Sequence, residues 1–245
     1  MPNPLVLKLQ QFTRLSPEDR LVLERAAVST RRLGARLDII REGDPTDRVN
    51  LILSGWACRY KQLADGRRQI ISFFVPGDLC DHHVFVLREM DHSIGSLTPL
   101  VFAPIPRATM EEVTLNHPRI TQALWWESLV SFSIQREWSV SLGQRDAAER
   151  MGHLLCELFL RLRGVGLTRG DSCDLPLTQA DLAEAMGLST VHVNRTLQQL
   201  RGAGLIVLKG GVLTIPNLRA LQAASLFNPN YLHLDREGAH LDAND

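Results

Sequence analysis

The sequence predicts an α+β protein with a jelly-roll-like β-roll over residues 1–116, a long helix over 117–143 and a winged helix-turn-helix over 144–245. Three patterns support this order. Short β-rich segments between recurring glycines fill the first part, as in a jelly roll. A stretch without helix breakers follows, and the chain then continues with two capped helices and a glycine hairpin. With 245 residues and 44% hydrophobic content, the chain can bury two ordinary cores.

The first part begins with a helix and continues as strands. Ser16-Pro17-Glu18 is a helix start, and this helix should run to about Ala27. Glycines then recur between the segments VNLILSG, WACRYKQL and RRQIISFF. Strands bounded by turn residues at a spacing of roughly eight to twelve residues predict a sandwich or jelly roll.

The long helix should begin at Pro118, because proline is tolerated in the first turn of a helix. Its apolar side chains fall close to an a/d stripe, which fits either an interface between two helices or packing within one domain. The stripe consists of Ile120, Leu124, Ile134 and Trp138. A further helix runs from Arg145 to about Arg163, where His153 and Cys156 share a face but do not suffice as a metal site.

The segment from Leu177 to Arg201 predicts two short helices joined by a tight turn. Thr178 and Asp181 fit a capping box, so the first helix begins at Gln179, and Gly187 supplies the left-handed turn that ends it. Ser189 caps the second helix. Four of its residues are available for burial: Val191, Val193, Leu197 and Leu200. A hairpin turning at Lys209-Gly210-Gly211 follows. The spacing alone is equally compatible with an ordinary αα-hairpin.

This helix-turn-helix and wing resemble the DNA-binding domain of the Crp/Fnr family of bacterial transcription regulators. The residues that match are Ala183, Gly187, Ser189, Val193, Arg195 and Leu197. The order of NLILSG and DGRRQIISFFVPGD likewise resembles the family's cyclic-nucleotide-binding-like sensory β-roll. The resemblance implies a homodimer that binds double-stranded DNA at pseudo-palindromic promoter sites and works with RNA polymerase. It also implies that residues 117–143 are a dimerisation helix, with Ile120, Leu124, Ile134 and Trp138 at the interface.

Arg195 is the first candidate for base readout, since a guanidinium can donate two hydrogen bonds to guanine. The wider set of expected DNA contacts is Thr178, Gln179, Ser189, Thr190, His192, Asn194, Arg195, Gln198 and Lys209. Basic and acidic residues balance at 27 each, so bulk attraction to DNA is not implied and a few placed cations must suffice.

The compartment expected for this chain is the cytoplasm. No apolar run is long enough to span a bilayer, and the first residues lack the pattern of a signal peptide. The four cysteines lack CxxC spacing, and reduced thiols are expected.

The effector of the β-roll is not evident from the sequence. In nucleotide-binding members of the family, a Gly-Glu pair holds the ribose and an Arg-Ser pair holds the phosphate. Asp81-His82 and His92-Ser93 stand at those places here, so cyclic AMP is not expected. An iron–sulfur cluster is not expected either, because no cysteine precedes Cys58. The candidate effector contacts are Arg67, Arg68, Asp81, His82, Arg88, His92 and Ser93.

Three alternatives stay open at this point. Cys80 and His82 resemble the haem ligands of the family's carbon-monoxide sensor, which would make the chain a haem-dependent gas or redox sensor. The same loop, with His83 and Asp91 or His92, could instead hold a divalent metal, in a regulator or in a jelly-roll metal enzyme. An enzyme needs ligands on facing strands, whereas these crowd one loop, so no enzymatic activity is expected. The third alternative is a ligand-binding module with a degenerate DNA domain.

Overall fold

A computed structural model describes residues 3–81 and 87–243 and divides the chain into two compact units. The first unit comprises residues 1–60, 73–132 and 232–245, and the second comprises 61–72 and 133–231. Helices and strands alternate in the α+β order that the sequence predicts. No helix among the described residues has the length and apolar composition needed to cross a membrane.

The first unit contains an antiparallel β-roll with helices on either side of it in sequence. Its helices are α1 (Pro4–Leu9), α2 (Pro17–Ala26), α3 (Arg107–Asn116) and the first half of α4 (Pro118–Gln144). The strands of the β-roll are β1 (Arg31–Leu33), β2 (Asp38–Ile40), β3 (Arg48–Ser54), β4 (Ala57–Gln62), β5 (Arg68–Phe74), β6 (Leu79–Cys80), β7 (Ser93–Ser96) and β8 (Leu100–Pro106), of which the end of β4 and most of β5, within residues 61–72, belong to the second unit. They form two sheets, in the orders β1-β8-β3-β6 and β2-β7-β4-β5.

The core of the first unit joins the β-roll to the helices. Strand residues such as Leu51 and Ile105 share one buried cluster with Leu5 of α1 and Met110 of α3. The predicted start of α2 is confirmed. Ser16 and Asp19 form a capping box there, which satisfies backbone groups that the first turn would otherwise leave unpaired.

The second unit contains the remaining half of α4 and the C-terminal elements. These are α5 (Ala147–Gly164), β9 (Thr168–Arg169), β10 (Ser172–Asp174), α6 (Gln179–Met186), α7 (Thr190–Gly202), β11 (Val207–Lys209), β12 (Val212–Thr214) and α8 (Leu218–Ala224). The strands form one sheet in the order β11-β12-β10-β9. Helix α5 begins two residues later than predicted, because Asp146 serves as its cap and bonds the amides of Ala148 and Glu149.

The long helix α4 is confirmed, but the side chains expected at its interface are buried in the chain itself. Ile120 and Leu124 are at most 1% exposed and belong to the core of the first unit. Ile134 and Trp138 are buried as well. The a/d stripe therefore marks the buried face of the helix, and these four side chains offer little surface to a partner.

The outward face of α4 carries large apolar side chains. Trp125, Leu129 and Phe132 are 57–60% exposed, and Val140 follows on the same face at 45%. The spacing of four, three and eight residues keeps these side chains on one stripe of a helix with 3.6 residues per turn. The part from Trp125 to Phe132 is a contiguous apolar stripe, which marks an interaction surface, and the exposed Arg136 separates it from Val140.

The C-terminal tail packs with the first unit, whereas the predicted boundary assigned it to the C-terminal domain. The amide of Ala243 donates to the Arg14 carbonyl (3.0 Å), and the amide of Gly238 donates to the Phe12 carbonyl (3.1 Å). Arg119 Nε donates to the carbonyl of Leu241 (2.9 Å). The predicted domain boundary was wrong because the residues that bond the tail lie more than 100 positions before it, and no local sequence pattern links segments so far apart.

Candidate nucleic-acid interface and effector region

Local capping fixes the first helix of the helix-turn-helix. The Asp181 amide donates to Thr178 Oγ1 (3.2 Å), and Asp181 Oδ2 accepts from the Thr178 amide (2.8 Å) and hydroxyl (2.7 Å). Gly187 ends α6 with φ of +63°, a conformation that costs little only for glycine. Both predictions made from these residues are confirmed.

Helix α7 has one buried face and one exposed polar face. Ser189 Oγ accepts from the His192 amide (3.2 Å) and caps the helix as predicted. Val193, Leu197 and Leu200 are buried. The exposed residues include Thr190, Arg195 and Gln198, while His192 and Asn194 are half-buried. A short helix that presents such side chains to solvent has the form of a DNA-reading helix.

Val191 was expected to be buried, but its side chain is 79% exposed. It comes second in α7, one residue before His192 and two before the buried Val193, so it points away from the core. A β-branched side chain at the start of a recognition helix can contact the methyl group of thymine. Sequence reasoning missed this residue because an apolar side chain in an amphipathic helix is assigned to the core by default.

The side chain of Arg150 binds the C-terminal end of α6. Its Nη1 donates to the carbonyl of Met186 (2.5 Å), the last residue of α6, and its Nη2 donates to the carbonyl of Arg145 (3.1 Å). A cation at a helix C-terminus satisfies carbonyls that have no partner within the helix. Arg150 therefore fixes the helix-turn-helix against α5.

The wing is a short hairpin, as predicted. β11 and β12 pair antiparallel, and Gly210 and Gly211 both adopt positive φ at the turn. Lys209 is exposed directly before this turn. The hairpin thus presents one cation at its tip, which is suited to a phosphate contact.

In the first unit, a polar cluster lies where β4, β6 and β7 meet. One oxygen of Asp81 binds Arg59 Nη2, and the other lies 2.8 Å from His92 Nε2. His92 Nδ1 lies 2.5 Å from Asp91 Oδ1. The Arg59 guanidinium also lies over the ring of Phe74, 5.1 Å from its centroid, a cation–π contact.

The structure brings together only part of the predicted effector set. Asp81 and His92 are in contact, whereas Ser93 accepts a structural hydrogen bond from the Glu42 amide (3.0 Å). His82 and His83 lie outside the described residues, and Arg88 is exposed. The sequence did not single out Arg59, which joins Asp81 from 22 positions away.

The predicted arginines Arg67 and Arg68 do not belong to this cluster. Both lie in the second unit, where Arg67 Nε pairs with Asp65 (2.8 Å) and Arg68 Nε lies 3.4 Å from Glu184 Oε2 of α6. Each already faces a carboxylate and Arg68 contacts the helix-turn-helix, so neither joins the residues around Asp81, and their effector role stays a prediction.

Cys80 lies in the hydrophobic core of the first unit. Burial raises the pKa of its thiol well above the ordinary value, which disfavours the thiolate that binds metals. Within residues 3–81 and 87–243 there is no group of three His, Cys, Asp or Glu side chains that could hold a metal ion. The haem and metal alternatives depend on His82 and His83, which lie outside those ranges.

Comparison with known protein families identifies two domains in this chain. A Crp-like helix-turn-helix domain matches residues 149–224, and a cyclic nucleotide-binding domain matches residues 30–117. The nitrogen fixation regulation protein FixK of Bradyrhizobium diazoefficiens is 32% identical over 76% of this chain and 78% of its own length. The transcriptional activator protein FnrL of Cereibacter sphaeroides is 29% identical over 70% of each chain.

The fold is also similar to that of a solved structure. FixK2 from Bradyrhizobium japonicum superposes with a TM-score of 0.72 at 23% identity, covering 80% of this chain and 96% of that one. These relatives are transcription regulators rather than enzymes.

Proposed function

This chain belongs to the Crp/Fnr family of bacterial transcription regulators, and we propose that it acts as a homodimer that reads a pseudo-palindromic operator with α7. In this proposal residues 1–116 form the sensory domain, 117–143 the dimerisation helix and 144–231 the DNA-binding domain. The place of action is the cytoplasm, which holds bacterial DNA and the RNA polymerase that such a regulator addresses.

The exposed face of α7 carries the proposal of base readout. Arg195 is exposed in the middle of the helix and has the geometry to donate two hydrogen bonds to guanine. Thr190, Val191 and Gln198 share the solvent side and complete the base-reading face. Lys209 and the capped start of α6 at Thr178 and Gln179 supply contacts to the phosphates.

The outward stripe of α4 supports the proposal of a dimer. Trp125, Leu129 and Phe132 present more apolar surface than one helix face ordinarily leaves to water. Pairing with the same stripe of a second copy buries all three and forms a two-fold interface. Such symmetry places two recognition helices about 34 Å apart, one turn of the DNA helix.

Genomic footprinting of the purified chain, followed by titration of the operator, tests this function. Arg195→Ala should weaken binding to the operator by about 1–3 kcal/mol and leave binding to a scrambled site nearly unchanged. Arg163→Ala is the matched control, since Arg163 is an exposed arginine of α5. Equal loss on both DNAs would reassign Arg195 to a phosphate contact, and protection of no genomic fragment would refute the function.

A further inference from the structure

The C-terminal tail, residues 232–243, continues directly from the last residue of the second unit but belongs to the first unit. The residue before it, Tyr231, is fixed in the second unit. Its hydroxyl donates to Glu157 Oε2 (3.1 Å), which also accepts from Trp138 Nε1 (3.1 Å). All three side chains are buried. The tail therefore starts from a fixed point in the unit that holds the helix-turn-helix.

The far end of the tail is held by the loop between α1 and α2. Asp242 Oδ1 accepts from the Arg14 amide (2.6 Å) and the Thr13 hydroxyl (3.3 Å), and Asp242 Oδ2 accepts from Arg236 Nη2 (2.6 Å). These bonds, first that of the Arg14 amide, lower the pKa of Asp242, so its carboxylate is charged at neutral pH. Arg14 Nη2 also donates to the carbonyl of Ala243 (2.8 Å). Asp242 thus closes a local set of bonds on the first unit.

Gly238 is required by the close approach of an aromatic ring and not by its backbone angles. Its φ is −87°, which any residue can adopt. A Cβ at this position, however, would lie 2.5–2.7 Å from three ring atoms of Phe12. The Phe12 ring is itself stacked on Trp126 of α4, with centroids 5.6 Å apart. A side chain at position 238 would therefore displace either the tail or this aromatic pair.

The tail and the loop that holds it lie outside both matched domains. The matches cover residues 30–117 and 149–224, whereas the loop spans residues 12–14 and the tail begins at 232. Arg119, which donates to the carbonyl of Leu241, also lies outside them. The fit between tail and loop is thus a feature of this chain in addition to its two domains.

We propose that the C-terminal tail is a strap that restricts the movement of the second unit relative to the first, with Gly238 and Asp242 as its positioning residues. A segment fixed at both ends limits how far its anchors can separate. The stretch of about seven residues from Tyr231 to Gly238 can span at most about 25 Å. The free protein then has fewer arrangements available, and less conformational entropy is lost when its DNA-binding helices align with an operator.

The strap favours DNA binding and does not inhibit it. With the tail in place, α7 keeps Arg195 and Gln198 exposed, so the tail does not cover the base-reading face. Releasing the tail should therefore weaken operator binding through lost restriction. This consequence rests on the proposed function, whereas the attachment of the tail to the first unit does not.

Hydrogen exchange of the full-length protein tests the attachment without DNA. The amides of Gly238 and Ala243 donate to backbone carbonyls of the first unit, so we expect both to be protected in the wild type. Asp242→Ala should speed their exchange at least tenfold. Asp235→Ala is the matched control, since Asp235 is an exposed acidic residue of the same tail. Unprotected amides in the wild type, or equal exchange in the two variants, would overturn the strap.

A second pair of variants guards against an indirect effect of Asp242→Ala. Gly238→Leu places a side chain against the Phe12 ring, so it should also speed exchange of the Ala243 amide at least tenfold. Ala239→Leu adds the same bulk one position later, at an exposed residue, and should leave this exchange unchanged. If Ala239→Leu released the tail as strongly as Gly238→Leu, the close approach to Phe12 would not hold it.

Operators with altered half-site spacing separate positioning from a simple loss of stability. Asp242→Ala should bind the footprinted operator at least threefold more weakly than the wild type. The wild type should also discriminate against one extra base pair between the half-sites, because the spacing of its recognition helices is restricted. Asp242→Ala should lower this discrimination at least threefold, whereas Asp235→Ala should keep it.

A loss of stability alone would weaken binding to both operators equally and leave their ratio unchanged. An unchanged ratio in Asp242→Ala, when hydrogen exchange shows that its tail is released, would therefore refute the positioning role. If the chain binds no operator at all, the proposed function fails, while hydrogen exchange still decides whether the tail is attached.

Discussion

The helix-turn-helix and the polar cluster of the β-roll are held together in opposite ways. Thr178 and Asp181, three positions apart, fix the start of α6 through their own backbone. In the β-roll, Arg59 reaches Asp81 from 22 positions away, and His92 joins it from 11 positions in the other direction. The helix-turn-helix is thus specified locally, whereas the polar cluster depends on how distant strands meet.

This difference explains why the first region could be predicted in detail and the second could not. Caps and a left-handed glycine have residue signatures within a single turn, so the bounds of α6 and α7 follow from the sequence. No local signal links Arg59 to Asp81, and the predicted effector set instead included Arg67 and Arg68 from another part of the structure. The prediction that the a/d stripe of α4 forms an interface was wrong for a related reason. The sequence of an apolar stripe does not show whether the stripe faces a core or a partner.

The largest expected effect comes from a charge on the outward stripe of α4. Leu129→Glu should abolish the dimer and operator binding together, because an unpaired charge buried in an interface costs about 3–5 kcal/mol. Sedimentation and operator titration measure the two losses. Leu115→Glu is the control, since Leu115 is exposed on α3. A Leu129→Glu protein that remained dimeric would place the dimer interface outside this stripe of α4.

The second-largest expected effect comes from a change in the polar cluster of the β-roll, which should leave the helix-turn-helix unaffected. Arg59→Met should lower the free energy of unfolding of the first unit by about 2–3 kcal/mol, because it leaves the Asp81 carboxylate in a mostly buried place without its cation. Arg59→Lys keeps the charge and should lose less. Urea unfolding followed by hydrogen exchange assigns the loss to a unit. If protection fell equally in α6 and α7, the two regions would not be independent.

The DNA-binding unit should respond to pH through His153. Its pKa falls from 6.5 to about 3 on folding, mainly through burial and next through Arg145, so the unfolded chain binds more protons within that window. The free energy of unfolding should therefore decrease as the pH falls below 6.5, by at most about 1.4 kcal/mol per pH unit. His153→Phe should flatten this slope between about pH 7 and pH 5.5, whereas the exposed His240→Phe should not. Equal slopes in all three proteins would contradict the assignment.

Removing the local cap should have a smaller effect confined to the helix-turn-helix. Thr178→Ala removes the side-chain acceptor for the Asp181 amide, which should cost about 1 kcal/mol of stability in the second unit. Thr178→Ser retains the hydroxyl and serves as the matched control. Thermal unfolding measures the stability, and hydrogen exchange of α6 shows where it is lost. If the loss spread into the β-roll, the turn would not be locally specified.

The smallest expected effect is that of cyclic AMP on operator binding. Asp81 is already paired with Arg59 and His92, so a nucleotide phosphate that approaches this cluster meets a carboxylate and must compete with it for both side chains. Little differential affinity then remains to shift the protein between states. Operator titration with and without saturating nucleotide should show less than about a twofold change, which is under half of the roughly 1.4 kcal/mol that a tenfold effect represents. Arg59→Met, titrated beside the wild type, shows whether any residual response passes through this cluster. A tenfold tightening in the wild type that Arg59→Met removes would mean that the polar cluster opens to admit an anion, and the effector region would then be a working nucleotide site rather than a closed set of ion pairs.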